Sequence, residues 1–387
     1  MSLLTDIELA ITEAWENTHP VVPTAQREPN HVARLIGHVC QPIADSIVSN
    51  GIATAASVRA TFCHQNPYAF WDNPSASGGD TVVRRELGDF LVIVRSPIYE
   101  RALMLQTKMS GSRAPLPWQP GVVVPVLPYG QRDLYACLHP FHLEYTGRKN
   151  QPTANEARVE GSVARLERKY AAQGAPLNAY KLATVAQGAL TVASPAMIFA
   201  WIDSSNAKGV RVRQGGQWSS CLTEPSQPVA LSKQAKLSST LSACLEDMIC
   251  RPTPQVGRSI EKFGLDPEWR RLVQDLEDWA DSWFHSAVPT STHDVETFGG
   301  IYDAKLYDSK ASAFMAWTTA GPYAELQKLP GRNRAWPHFQ AVPRSQAAPR
   351  LRFIEPPSSP IGLNDDQPEG GFAVIEIRLT SPRFSIG

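Results

Sequence analysis

The 387-residue chain has no apolar run approaching the ~18 residues that a membrane-spanning helix needs, which excludes a transmembrane helix. Its six cysteines show no CxxC spacing; this speaks against a disulfide scaffold and a structural zinc site and leaves them as buried thiols. Net charge is absent as well. The 37 basic residues balance the 37 acidic ones, so no global field draws the chain onto nucleic acid or anionic lipid, and any polyanion must meet a local patch. Phosphate-cradling loops of the P-loop or GxGxxG type are missing, which leaves ATP-driven and dinucleotide chemistry without support. The opening residues carry acids where a secretory leader carries Lys or Arg, and they lack its apolar stretch, so a cytoplasmic location is expected.

What is present fits a folded globular protein: 43% hydrophobic and 19% charged residues over a length of about two and a half typical domains. Thr5 to Glu8 reads as a capping box opening a helix over roughly 6–16. Apolar positions from Val32 to Val48 recur at helical spacing, with Pro42 expected to bend or split that helix. Ala56 to Phe62 reads as a strand. Phe90 to Val94 and Ala102 to Leu105 are two apolar runs around a Ser96-Pro97 turn, which predicts a β-hairpin. Gln131 to Leu138 reads as a short helix, residues 155–173 as one exposed amphipathic helix, and Met197 to Ile202 as a buried strand. Asp266-Pro267 supplies an N-cap and a first-turn proline, and Trp269, Leu272, Val273, Leu276, Trp279 and Trp283 draw one apolar stripe, a core face rather than a platform for bases. Phe372 to Leu379 reads as a strand. The expected division is an N-terminal domain over 1–205, with its core at about 30–165, and a C-terminal α+β region over 206–387.

The chemistry concentrates around the predicted hairpin. It places Asp89 at the start of one strand, with Gln106, Thr107 and Lys108 at the end of its neighbour, so all can meet at one end of a sheet. Side chains two apart share a face, so Gln106 and Lys108 project together while Thr107 turns away and offers its carbonyl. A hard divalent ion wants oxygen ligands, and Asp89, the Gln106 amide oxygen and that carbonyl supply them. Lys108 beside the ion would orient water and stabilise charge developing on a phosphodiester.

These residues resemble the signature of the PD-(D/E)xK nuclease superfamily, an Asp opening one strand and an acid-x-Lys on the next. Gly88-Asp89 stands where Pro-Asp is usual, and Gln106-Thr107-Lys108 is similar to the QxK variant of some restriction-type members. The resemblance implies a restriction-endonuclease-like α/β (α+β) fold, a mixed sheet flanked by helices. It further implies a Mg²⁺- or Mn²⁺-dependent endonuclease acting on DNA in restriction or anti-phage defence. Glu86 is the nearest upstream acid for the ion, with Glu8 and Glu28 as weaker candidates; Gln106 in place of an acid removes one negative charge. A defence-system partner protein is implied as well, and a homodimer is left open. The C-terminal region would serve specificity, oligomerisation or sensing.

Two other readings stay beside this one. In the first, Asp89 caps a turn and Lys108 is a solvated strand end. In the second, the fold is kept without catalysis, as a module binding nucleic acid or a protein partner. Between residues 84 and 113, Arg84, Arg85, Arg95, Arg101, Lys108 and Arg113 outnumber Glu86, Asp89 and Glu100, a patch able to meet phosphates or to be ordinary surface charge. His139 and His142 are separated by a helix-breaking Pro140 with no acid nearby in sequence, which disfavours a zinc site. Ser205 to Lys208 matches SxxK without the companion motifs of that nucleophile.

Overall fold

The structure is a computed structural model that describes residues 2–18, 28–63, 66–73, 81–109, 123–125, 131, 134–135, 139–145, 151–183, 196–202, 218–221, 234–251, 256–262, 264, 266–287, 301–305, 312–326, 328–329 and 371–380. The chain is mixed α/β, with a mixed sheet flanked by helices. Two helices come first, α1 (Leu3–Thr18) and α2 (Glu28–Ser49), and α2 runs unbroken through Pro42. Strands β1 (Ala56–Cys63), β2 (Pro67–Asp72), β3 (Val82–Glu86), β4 (Phe90–Arg95), β5 (Glu100–Met109), β6 (Val123–Pro125) and β7 (His142–Tyr145) follow. Next come α3 (Ala154–Glu160), α4 (Val163–Ala172), β8 (Met197–Ile202), β9 (Trp218–Cys221), β10 (Gln234–Thr240), α5 (Leu241–Cys250) and β11 (Arg258–Ser259). The last elements are α6 (Pro267–Ala287), β12 (Ile301–Lys305), β13 (Ser312–Ala320), α7 (Tyr323–Leu326) and β14 (Phe372–Leu379).

The large sheet runs β12-β13-β1-β14-β4-β5-β8-β9-β10-β6, with β11 also on β5, and a small sheet runs β3-β2-β7. The predicted hairpin is present: β4 and β5 pair antiparallel from Phe90↔Leu105 to Arg95↔Glu100. On its outer side β5 pairs parallel with β8, while β14 lies between β1 and β4, parallel to β4. Residues beyond 205 therefore supply strands to the same sheet as β1, β4 and β5.

Alternation sorts the sheet into two faces. Val58, Phe62, Val92, Val94, Leu103, Leu105, Ile375 and Ile377 point to one core with α1, α2 and α5. Leu91, Ile93, Met104, Phe372 and Val374 point to a second core, where the predicted stripe of α6 lies: Trp269, Leu272, Val273, Leu276 and Trp279 are all buried. Asp266 caps α6 as expected, its Oδ1 accepting from the Trp269 N–H at 3.0 Å. The small sheet joins this second core through rings, Tyr145 stacking on Trp279 at 5.1 Å and Trp279 meeting Phe372 at 5.8 Å. The single helix expected over 155–173 is two. Gly161 ends α3 in the left-handed region at φ 82°, where a side chain would be strained, and Ser162 caps α4 through the Arg165 N–H.

The second face also carries a buried ionic network. Arg95 donates to Glu376 at 2.8 Å, to both oxygens of Glu277 at 2.8 and 2.9 Å and to Glu100 at 3.0 Å. Glu376 also meets Arg378 at 3.0 Å and Arg59 at 3.4 Å. Burial alone would push the Glu376 carboxyl up, but Arg378, Arg59 and Arg95 outweigh it and hold it at about 2. These pairs lock α6, through Glu277 and Asp281, to β1, β4 and β14.

Among the cysteines, Cys40, Cys63 and Cys244 are buried free thiols and Cys250 is partly exposed. No described helix is long and apolar enough to cross a membrane.

Candidate functional site

Asp89 stands one residue before β4, and strands on both sides fix its backbone: its N–H donates to the Leu105 carbonyl at 2.8 Å, and its carbonyl accepts from the Ala373 N–H at 2.8 Å. Just upstream, Gly88 sits tightly against two buried side chains. A Cβ there would sit 2.6 Å from the Met104 sulfur and 3.1 Å from the Tyr135 hydroxyl, so a larger residue would have to displace the Met104 side chain.

Asp89 and the end of β5 do meet. Asp89 Oδ2 accepts from Gln106 Nε2 at 2.7 Å and from both the N–H and the hydroxyl of Thr107, and all three residues are buried. This corrects the expected orientation of Thr107, whose hydroxyl faces the aspartate instead of turning away. The reason lies in the ladder. β4 begins only at Phe90, and the chain just before it turns away, the Leu87 N–H donating to the Pro67 carbonyl at 2.9 Å and its carbonyl accepting from the Tyr135 hydroxyl at 2.7 Å. The Asp89 carboxylate fills the open ladder position.

Around this pair lie residues that sequence reasoning missed. Gln131 Nε2 donates to Gln106 Oε1 at 2.8 Å and, more weakly, to the Glu86 carbonyl at 3.4 Å. Burial, then the charges of Asp89 and Glu86, push the Tyr135 phenol well above its ordinary range, so it remains a donor. Gln131 and Tyr135 are helical and four residues apart, the spacing that puts two side chains on one helix face. That spacing, in a segment already read as helix, was the available signal. The other residues of the predicted 131–138 helix lie outside the described residues.

Glu86 ends β3 at the same end of the fold, and its Oε1 accepts from Asn66 at 2.7 Å. Glu8 is exposed on α1 and accepts from Ser242 at 3.2 Å, so it is committed to the α1–α5 contact. Lys108 lies two residues beyond Gln106 on β5, in register with Trp201; its side chain, that of Glu28 and the Ser205 motif lie outside the described residues.

Of the expected basic patch, two members are not at the surface, while the Lys108 side chain and Arg113 lie outside the described residues. Arg95 is buried in the ionic network, and Arg101 is buried with its guanidinium over Tyr99 and donating to the Arg251 carbonyl at 2.7 Å. Arg84 is committed to Glu144 at 3.0 Å, while Arg85 is exposed.

His139 and His142 line a cavity of about 230 Å³ with Asp72 and Glu167. An acid does stand near the pair in space: His142 Nε2 lies 2.8 Å from Glu167 Oε1. Asp72 is spent on the first N–H groups of α4, at 2.6 Å to Val163 and 3.2 Å to Ala164. Among the described residues, no group of three or more His, Cys, Asp or Glu gathers as a metal site.

Whether Asp89 and its neighbours fit a divalent cation turns on the Gln106 amide. Its Nε2 sits 2.7 Å from Asp89 Oδ2 and 3.5 Å from the Thr107 carbonyl oxygen, facing both as a donor. The oxygen and nitrogen of a primary amide occupy nearly equivalent positions. Half a turn about the last torsion would face Oε1 to those two oxygens, giving the all-oxygen donor set that Mg²⁺ or Mn²⁺ prefers. The residues therefore fit such an ion with Gln106 turned.

Comparisons with protein-family models, with curated proteins and with solved structures give no match for this chain.

Proposed function

We propose that the chain is a metal-dependent endonuclease hydrolysing DNA phosphodiester bonds, with a restriction-endonuclease-like core and a cytoplasmic role in restriction or anti-phage defence. The observation that carries this reading is the convergence of Asp89, the Gln106 amide and the Thr107 carbonyl at the end of the β4–β5 hairpin. The hairpin followed by β8 parallel to β5, in a mixed sheet covered on both faces, supports the fold assignment. The defence role rests on the resemblance of the Asp89 and Gln106-Thr107-Lys108 motif alone.

Asp89, Gln106 and the Thr107 carbonyl would hold Mg²⁺ or Mn²⁺, with Glu86, at the end of β3, the upstream acid that the resemblance adds. The ion would supply charge stabilisation to a phosphodiester and acidify a water molecule. Lys108, beyond Gln106 on β5, would orient the attacking water and stabilise the developing negative charge. The Thr107 hydroxyl and N–H fix the Asp89 carboxylate, so the anion is held in place before any ion arrives.

One observation favours a second reading, a nucleic-acid- or protein-binding module without catalysis: Asp89 Oδ2 already accepts three hydrogen bonds within the chain. Incubating the full chain with plasmid, linear and single-stranded DNA and with RNA, each with Mg²⁺ or Mn²⁺, separates the two. Metal-dependent cleavage of DNA supports the nuclease. No cleavage of any substrate, together with no ion binding by calorimetry, overturns it in favour of the binding module.

A further inference from the structure

Gln131 is 2% exposed, and it spends its amide unevenly. Its Nε2 donates to Gln106 Oε1 at 2.8 Å and reaches the Glu86 carbonyl at 3.4 Å, while its own buried Oε1 has no hydrogen-bond partner among the described residues. A buried acceptor left without a donor is costly and uncommon, and it calls for an explanation. Gln106 supplies one. If its amide turns to present Oε1 beside Asp89 and the Thr107 carbonyl, its NH₂ group faces Gln131 and needs an acceptor there. Gln131 Oε1 is the acceptor within one amide turn of that position.

Resting on the reading of Asp89 and Gln106 as the ion site, we propose that Gln106 and Gln131 form a two-state amide relay, with Gln131 as the positioning residue that sets which face Gln106 shows. In the state described, Gln131 donates, Gln106 accepts on its far side, and the Gln106 NH₂ occupies Asp89. In the other state both amides are reversed: Gln106 donates to Gln131 Oε1, and its own oxygen faces Asp89 and the Thr107 carbonyl. The long contact from Gln131 to the Glu86 carbonyl is given up in that state, and an oxygen donor toward a hard cation is gained. Gln is suited to position 131 because its neutral amide offers a donor and an acceptor at equal reach.

The test uses the full chain, Mg²⁺ alone as the probe, and two variants. Gln131→Met removes donor and acceptor without changing charge. In the state described this strands the Gln106 oxygen, whereas reversal strands the Gln106 NH₂, the costlier of the two losses, so Mg²⁺ affinity by calorimetry is expected to fall about threefold. Gln131→Glu, once ionised, can only accept, so it holds Gln106 in the reversed state: it binds Mg²⁺ at least as tightly as wild type and, because its charge alone would also attract the ion, its Gln106 side-chain amide signal lies at the Mg²⁺-bound position of wild type before any ion is added. In glutamine-labelled wild-type protein, the side-chain amide signals of Gln106 and Gln131 shift together as Mg²⁺ is added; a purely structural Gln131 would lower the unfolding midpoint and leave these readouts unmoved. Equal affinity of wild type and Gln131→Met, weakening by Gln131→Glu, or a Gln131 signal that stays still overturns the relay while leaving the nuclease reading standing. If wild type itself binds no Mg²⁺, both fall.

Discussion

Replacing Asp89 tests fold and chemistry at once, and the two effects can be separated by choice of substitution. Asp89→Ala removes the acceptor of three hydrogen bonds whose donors belong to Gln106 and Thr107, both fully buried. A buried donor left unsatisfied costs about 1–3 kcal/mol, and hydrogen bonds to a charged acceptor lie at the upper end. Some relief comes from water entering the truncated site, so the loss is roughly 3–6 kcal/mol, set against a typical total stability of about 5–15 kcal/mol. Asp89→Asn keeps one acceptor oxygen and nearly the same shape, and is expected to cost about 1–2 kcal/mol. Urea unfolding followed by circular dichroism measures both. An Asp89→Ala midpoint equal to wild type would refute the claim that Asp89 closes the open ladder at Thr107. Cleavage is then read on the folded Asp89→Asn protein, where loss of the charge is expected to abolish Mg²⁺-dependent turnover; a wild-type rate there would refute the site assignment independently of stability.

Three further outcomes follow from the same geometry. Gln106→Glu places a second carboxylate against Asp89, so it is expected to lower stability without metal and to tighten Mg²⁺ binding; unchanged affinity by calorimetry would remove position 106 from the ion site. Lys108→Met is expected to cost about 10²–10⁴-fold in turnover at saturating DNA with little change in affinity, beside Arg85→Met as the exposed control; if both lower only affinity, Lys108 contacts phosphate and is not catalytic. Glu376, held at about 2 against an ordinary 4.5, contributes its stabilisation above the unfolded value and loses it as pH falls from about 4.5 towards 2. That contribution is on the order of 3 kcal/mol, and Glu376→Gln should flatten the fall in urea midpoint across this window; an unchanged pH profile in the variant would show that the network does not depend on the charge.

The parts legible in the sequence are those set by local periodicity. The hairpin followed from two apolar runs around a turn, and α6 from a proline-started stripe whose Trp269 and Trp279 fill the second core, the Trp283 side chain lying outside the described residues. The adjacency of Asp89 and Gln106 came with the hairpin. Strand order was not legible, because β14 slots between β1 and β4 from far along the chain and only its apolar alternation is written locally. Arg95 and Arg101 were misread for a related reason. Each follows or opens an apolar run, where a charged residue is usually solvated, and their partners Glu376, Glu277 and the Arg251 carbonyl are remote in sequence. Thr107 broke the alternation argument because that argument assumes a continued ladder, and β4 starts too late to provide one.

The second sheet face thus holds two polar clusters of opposite character. Around Glu376, every strong donor meets a carboxylate, and reversing any pair would leave a charge buried without its counterion, a loss of about 3–5 kcal/mol. Such a network fixes α6 against β1, β4 and β14 and has little freedom to respond to a ligand. Around Asp89 the outer partners are two neutral amides, Gln106 and Gln131. An amide turned end for end exchanges donor for acceptor without moving a charge, so its two states differ by hydrogen bonds, the one to the Asp89 carboxylate worth about 1.5–3 kcal/mol, a gap that an arriving cation would have to overcome. On the proposed reading, Gln at position 106 is compatible with an ion site despite removing a charge: it would lower the intrinsic attraction for the ion, while the metal-free Asp89 carboxylate is hydrogen-bonded by a neutral amide without the repulsion that a second buried carboxylate would bring.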